Sequence, residues 1–232
     1  MKQRYDSAGG FSLVELLVGT VLFTIITGAI FSLLLSAQMR YRGESNVTEA
    51  FQQANIALDQ ITRDVHSAGY PPKNSLGLAT ANMNPDTYAL PFAWSPNYPA
   101  TPCSVGGSCT VPGDYDLIVE ADVGSGKVQW VRYSLKGTTL MRGRAPKVKF
   151  ADPIAATTAS LTPYLENVVN GTNSPAVPIF SFTYDTGPAQ EPSNIREVNV
   201  SLMVQAAQPD PQTRQYRMIT LTGQAVRFNP NQ

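Results

Sequence analysis

From Phe11 to Ala37 the chain runs for 27 residues with one charged side chain, Glu15. Wound as a helix, that run would reach about 40 Å, against the ~30 Å of hydrocarbon in a bilayer. It is long enough to cross a membrane, and it lacks the polar face that a half-buried core helix keeps. Whatever else the chain builds must therefore be attached to this rod. Gly9 and Gly10 stand directly before it. A secretory signal carries its small-residue cleavage site after the apolar segment, so a cut at Gly10 would instead leave the apolar segment on the product.

Glu15 is out of place in such a run. A charge within a spanning helix costs about 2.5–3.5 kcal/mol on insertion scales and usually has a partner. Two readings stay open. Near the end of the run, the carboxylate can reach the interface along its own stem. Alternatively, cleavage after Gly10 frees an amine on Phe11, and that cation on a neighbouring copy or related subunit neutralises Glu15 inside a packed bundle. Charge bias does not set the topology, because Lys2 and Arg4 flank one end and Arg40 and Arg42 the other.

The helix is expected to continue beyond the membrane. Phe51, Ala54, Leu58, Ile61, Val65 and Ala68 recur at spacings of three and four on an otherwise polar segment, and Gly69 with Pro71-Pro72 is a stop signal. The spacing predicts one helix from about Leu13 to Ala68, with Gly43 as its weak point, since glycine costs about 1 kcal/mol in a helix interior. His66, the one histidine, sits where a cation suits the helix dipole.

Beyond Pro72 the composition changes. Most of the 18 prolines and 17 glycines lie there, favouring turns and short strands. Residues 71–113 read as an irregular region holding Cys103 and Cys109, a close pair that on an exported domain fits one small disulfide and in a cytosolic chain two free thiols. Residues 114–232 read as a β-rich head. Its first element is a hairpin in which Asp114, Asp116, Ile118 and Glu120 alternate with Tyr115, Leu117, Val119 and Ala121, turning at Gly124-Ser125-Gly126. A short strand at 138–143 follows, then a strand or turn at 164–171. Strands at 177–185, 195–206 and 215–228 complete one antiparallel set. The expected class is α+β, with the helix stripe covering one sheet face.

Lys plus Arg and Asp plus Glu both total 17, so the bulk charge selects no partner. Its distribution is uneven. Lys127, Arg132, Lys136, Arg142, Arg144, Lys147 and Lys149 lie in residues 123–151, which hold no acid, interleaved with Trp130, Tyr133 and Phe150. Such a strip can contact nucleic-acid phosphates and stack on bases, dock an acidic neighbouring subunit, or be ordinary solvated charge divided between two sheet faces. Asp114, Asp116, Glu120 and Asp122 offer oxygen ligands for calcium, but the same spacing describes a solvated face. No nucleophile elbow, zinc-helix motif or phosphate loop is present, and no catalytic residue, metal or cofactor is expected.

The N-terminal residues carry a resemblance. "MKQRYDSAGG" followed by "FSLVELLVGTVLF" resembles the class III signal of type IV pilins and their relatives, with Gly10 before the cut, Phe11 after it and Glu15 fifth in the mature chain. The resemblance implies that residues 1–10 are a leader removed by a prepilin peptidase, which also methylates the new amine of Phe11. It makes residues 11–37 first an inner-membrane anchor and then filament core, with residues 38–70 continuing into a periplasmic head, and it makes Glu15 the assembly residue. The run from Gln38 to Pro72, with Asp59, Arg63, Asp64, Val65, Ala68, Gly69 and Tyr70, is similar to PilW-type minor pilins, and the head more loosely so. The J-type pseudopilin of type II secretion is also similar. Implied partners are the prepilin peptidase and other major and minor pilins, with nucleic acid the less favoured. Implied roles are pilus priming, adhesion, twitching motility or DNA uptake.

Overall fold

The computed structural model describes residues 10–72, 87–148, 150–185 and 190–228. Helix α1 spans Leu13–His66, 54 residues, without interruption. At 1.5 Å per residue it is about 81 Å long. It ends where Ser67 returns its amide to the Arg63 carbonyl and Gly69 takes the left-handed conformation, φ 79°, that a side chain would resist. The Gly69 amide then donates to the Glu120 carbonyl at 2.9 Å, tying the helix end to the head.

The helix passes through Gly43 unbroken. Gly43 is buried, and a Cβ there would stand 3.5 Å from Cδ of Pro211, an ordinary packing distance, so a loop of the head lies against the helix at this point. The stripe is also shifted from the expected one. Ala54, Leu58, Ile61, Val65 and Ala68 are buried, but Phe51 is 45% exposed, and Ala50, Ala57 and Asp64 lie inside.

The head is an α+β unit of two antiparallel sheets, where one was expected. Strands β1 (Asp116–Ala121), β2 (Gln129–Lys136), β3 (Thr139–Pro146) and β4 (Thr162–Leu165) form the first, in that order. Strands β5 (Phe180–Tyr184), β6 (Ile195–Gln205) and β7 (Met218–Val226) form the second. A short helix α2, Pro153–Thr158, joins β3 to β4 and is capped by Asp152, whose side chain accepts from the Ile154 amide. The β1–β2 turn is closed by Asp122 Oδ1, which accepts from the amides of Gly124, Ser125 and Gly126.

The α1 stripe packs mainly on β7 and β6, and its last turns reach β1 and β4. One apolar core joins the helix to both sheets. Ile61 and Val65 share it with Leu117, Val131 and Leu140 of the first sheet and Phe180, Val200 and Leu202 of the second. The first sheet is covered on its other face too. There Ala93, Val111, Ile118 and Trp130 form a second cluster, flanked by Tyr98 and Ile154. The irregular region runs beside β1, with Ala93 N donating to the Ile118 carbonyl and Glu120 N to that of Pro91. It closes an edge that would otherwise stay open to another strand. This double cover explains why β1 is buried from Leu117 to Ala121, where alternation predicted a solvated face.

Candidate functional site

From Gly10 to Ser12 the backbone is non-helical, so the Gly10–Phe11 bond lies outside the hydrogen-bonded helix. Gly10 is exposed with nothing within 4 Å of where a Cβ would stand, and Phe11 is 84% exposed. Glu15 sits exposed in the first turn of α1, where the unpaired amides of a helix start favour a negative charge. Among the described residues it makes no ion pair. The apolar run that follows is unburied over its most apolar 18 residues and is long and apolar enough to cross a membrane.

Where α1 meets the head, Asp64 is the hub. Its Oδ2 accepts from the Tyr133 hydroxyl at 2.5 Å and from Arg142 Nη2 at 2.7 Å, and its Oδ1 from Gln60 at 2.8 Å. Arg142 Nε in turn donates to the Tyr133 oxygen at 2.8 Å, and its guanidinium lies over the rings of Tyr133 and Tyr164. Burial pushes the Tyr133 phenol far up, assisted by the Asp64 charge. It therefore stays a hydrogen-bond donor at neutral pH. Arg142 is itself raised, because burial, which lowers it, is outweighed by its bonds to Asp64 and Tyr133. Two strands of the first sheet thus grip the helix by one carboxylate.

A second hub lies across that sheet. The Glu120 carboxylate is fully buried and accepts from Trp130 Nε1 at 2.8 Å, Lys147 Nζ at 2.7 Å, the Leu90 amide at 2.9 Å and the Tyr98 hydroxyl. Burial, then the Glu120 charge, pushes the Tyr98 phenol far up. Lys147 also donates to the Tyr88 carbonyl at 3.1 Å. A third hub is Asp116, which takes Arg132 in a two-pronged contact (Nε 3.0 Å, Nη2 2.6 Å) and the Ser134 hydroxyl. The remaining arm of Arg132 donates to the Ile154 carbonyl and the Thr158 hydroxyl, holding α2 in place.

These pairs dismantle the basic strip. Arg132, Arg142 and Lys147 are internal counterions, and Trp130 and Tyr133 are core. Lys127, Lys136 and Arg144 are exposed, and Lys149 lies outside the described residues. The acidic quartet is likewise taken up. Asp116 and Glu120 are paired inside, Asp122 caps a turn, and Asp114 alone is exposed. Among the described residues no group of three or more metal-ligating side chains comes together.

The signal for the hubs was present in part. Asp64 follows Ile61 by three and Ala57 by seven, which places it on the buried stripe, and a buried carboxylate demands a partner. The Glu120 hub carried no such signal, because its cover comes from the irregular region.

Cys103 and Cys109 form a disulfide that closes the "CSVGGSC" loop, with Val105 turned into the core. An open concavity of about 410 Å³ on the head is lined by Ser181, Asn199, Ser201, Thr222 and Gln224 around Val200 and Gly223, with no titratable side chain. A long apolar helix leading into an antiparallel β head is consistent with a pilin-like fold. Compared with protein-family models, with curated proteins and with solved structures, the chain matches none of them.

Proposed function

We propose that the chain is a minor pilin, an assembly subunit of a type IV pilus held in the inner membrane until it joins a filament. One observation carries the reading. An exposed Gly10–Phe11 bond stands immediately ahead of an unpartnered apolar helix that runs without a break into a folded head. The resemblance of residues 1–23 to the class III signal supports it. In this mechanism a prepilin peptidase hydrolyses the Gly10–Phe11 amide. The released amine on Phe11, a cation near neutral pH with an ordinary pKa close to about 8, becomes the counterion for Glu15 of an adjacent subunit. Taken out of water into a bundle of helices, that pair is stronger than it would be at the interface. The head then decides which neighbour is accepted.

Mass spectrometry of the N-terminal peptide from membranes, with and without the peptidase, tests the first step. The expected product is a peptidase-dependent, methylated Phe11. Gly10→Leu is expected to leave the precursor uncut, because a branched side chain fills the space a cleft uses beside the scissile bond. Efficient removal of the leader from that variant would sink the assignment of Gly10.

Glu15→Leu tests the second step. It is expected to leave membrane insertion and cleavage intact while lowering recovery in sheared filaments by tenfold or so, the worth of about 1.4 kcal/mol. Unchanged recovery would mean that the carboxylate only reaches for the interface.

A further inference from the structure

Counting about 20 residues of helix from Glu15 for the hydrocarbon brings the chain out near Leu35. Arg40 then stands roughly 7 Å beyond, at the outer edge of the headgroup layer, and Gly43 roughly 12 Å, a few ångströms outside it and within reach of a long side chain. At this level the loop between β6 and β7 folds onto α1. Pro211 meets Gly43, and Arg217 bridges Glu44 (2.9 Å) and Asp210 (2.8 Å). The Asp210 carboxyl, held by the amides of Gln212 and Thr213 and by Arg217, is pulled below the usual carboxylate range. That lock presents the loop's outer side chains beside the helix. A cleft of about 320 Å³ runs between them, with Arg40 on one wall and Gln212 and Arg217 on the other.

The exposed side chains of this zone share one chemistry. Arg40, Arg42 and Arg214 are exposed and make no ion pair among the described residues, and Tyr41 (76% exposed), Tyr216 (52%) and Met218 (58%) stand among them. Four arginines face two acids, so the belt is cationic. Arg214 adopts φ 58° where the chain closes the turn, its amide donating to the Asp210 carbonyl at 2.8 Å, which fixes where its side chain leaves the loop. Tyrosine and arginine at this depth are the residues that sit well at a membrane–water interface.

We infer that this belt seats the base of the head on an anionic lipid surface, with Arg40, Arg42 and Arg214 facing headgroup phosphates, while the subunit is still in the membrane. The inference rests on the membrane-anchored reading above and goes beyond it. The lipid contact fixes the tilt and height at which the head is offered to its neighbours, and it is broken when the subunit leaves the bilayer.

The test uses the full chain in vesicles, with Gln212→Cys as the one free thiol beside the Cys103–Cys109 disulfide, carrying a fluorophore quenched by a headgroup-attached acceptor. Vesicles are phosphatidylcholine alone or phosphatidylcholine mixed with phosphatidylglycerol. Quenching is expected to be stronger with phosphatidylglycerol and to weaken with added salt. Each Arg→Gln change at 40, 42 or 214 is expected to reduce the docked population about fivefold, while Arg214→Lys keeps it. Equal quenching in both vesicles, or no response to the triple Arg→Gln variant, overturns the inference while leaving the anchor reading intact. Quenching that ignores lipid charge but rises with protein density assigns the belt to a neighbouring subunit and also overturns it. A chain that does not float with either vesicle removes the anchor reading, and this inference with it.

Discussion

Glu120→Ala is expected to destabilise the head by about 3–5 kcal/mol, the range found when one member of a buried ion pair is removed. The reason is the number of groups it would strand. Lys147, with an ammonium that is 3% exposed, would keep the Tyr88 carbonyl and the ring faces of Tyr88 and Tyr98 but no counterion, and the Trp130 indole, the Leu90 amide and the Tyr98 hydroxyl would each lose an acceptor. An unsatisfied buried polar group costs about 1–3 kcal/mol by itself, and the four are coupled, so the losses do not simply add. Against a typical total of about 5–15 kcal/mol, a loss of that size is a large share of what holds a domain folded. Denaturant titration of the full chain in detergent, followed by fluorescence of Trp130 and Trp94, reads the change. A loss below about 1 kcal/mol would mean that the site hydrates and that the hub holds nothing together. The companion Lys147→Met should cost a similar amount by leaving the carboxylate alone. Joining it to Glu120→Leu should recover part of both, because two apolar groups demand no partner.

The same residues show where sequence was legible and where it stopped. The rod was legible because a single 27-residue, mostly apolar run satisfies its backbone in lipid only as a helix, and because its amphipathic half repeats every three and four residues. The antiparallel head was legible from alternation in β6, where Val198, Val200, Leu202 and Val204 point in and Asn199, Ser201 and Met203 are less buried. In β1 and β2 the alternation held as a pattern but not as a statement about water. Asp116, Glu120 and Arg132 share the face opposite the main core, and in sequence they look like solvated charge. The face is covered by residues 87–113 and α2, whose Pro-rich composition announces turns but not where those turns lie. The division into two sheets was hidden for a similar reason. Which strands pair is decided by long-range contacts, and only local period can be read along the chain. At Gly43 the propensity was legible, but the packing of Pro211 against it was not.

Asp64→Ala is expected to cost about 3 kcal/mol, the low end of the buried-pair range because Arg142 keeps some contact with water. Its consequence for function is larger than its size. The apolar contacts between α1 and the head are made by alanine, leucine, isoleucine and valine, which resist separation but allow a helix to roll or slide by a fraction of a turn. Asp64 adds direction. It is bonded at once to β2 through Tyr133 and to β3 through Arg142, so the helix has one azimuth relative to the first sheet. In the assembly proposed above, where the apolar half packs among other helices, that azimuth would set where the head points when Glu15 meets its counterion. The variant is therefore expected to be cleaved normally, since Gly10 lies far along the rod, yet to enter filaments several-fold less well at a temperature where it remains folded. Tyr133→Phe separates orientation from stability. It removes one of the two bonds across the joint together with the acceptor of Arg142 Nε, costing about 1–3 kcal/mol, and leaves the Asp64–Arg142 pair to hold the azimuth. Incorporation that falls in proportion to stability across both variants would reduce Asp64 to a structural contact. Incorporation lost in Asp64→Ala but kept in Tyr133→Phe would make the ion pair the element that aims the head.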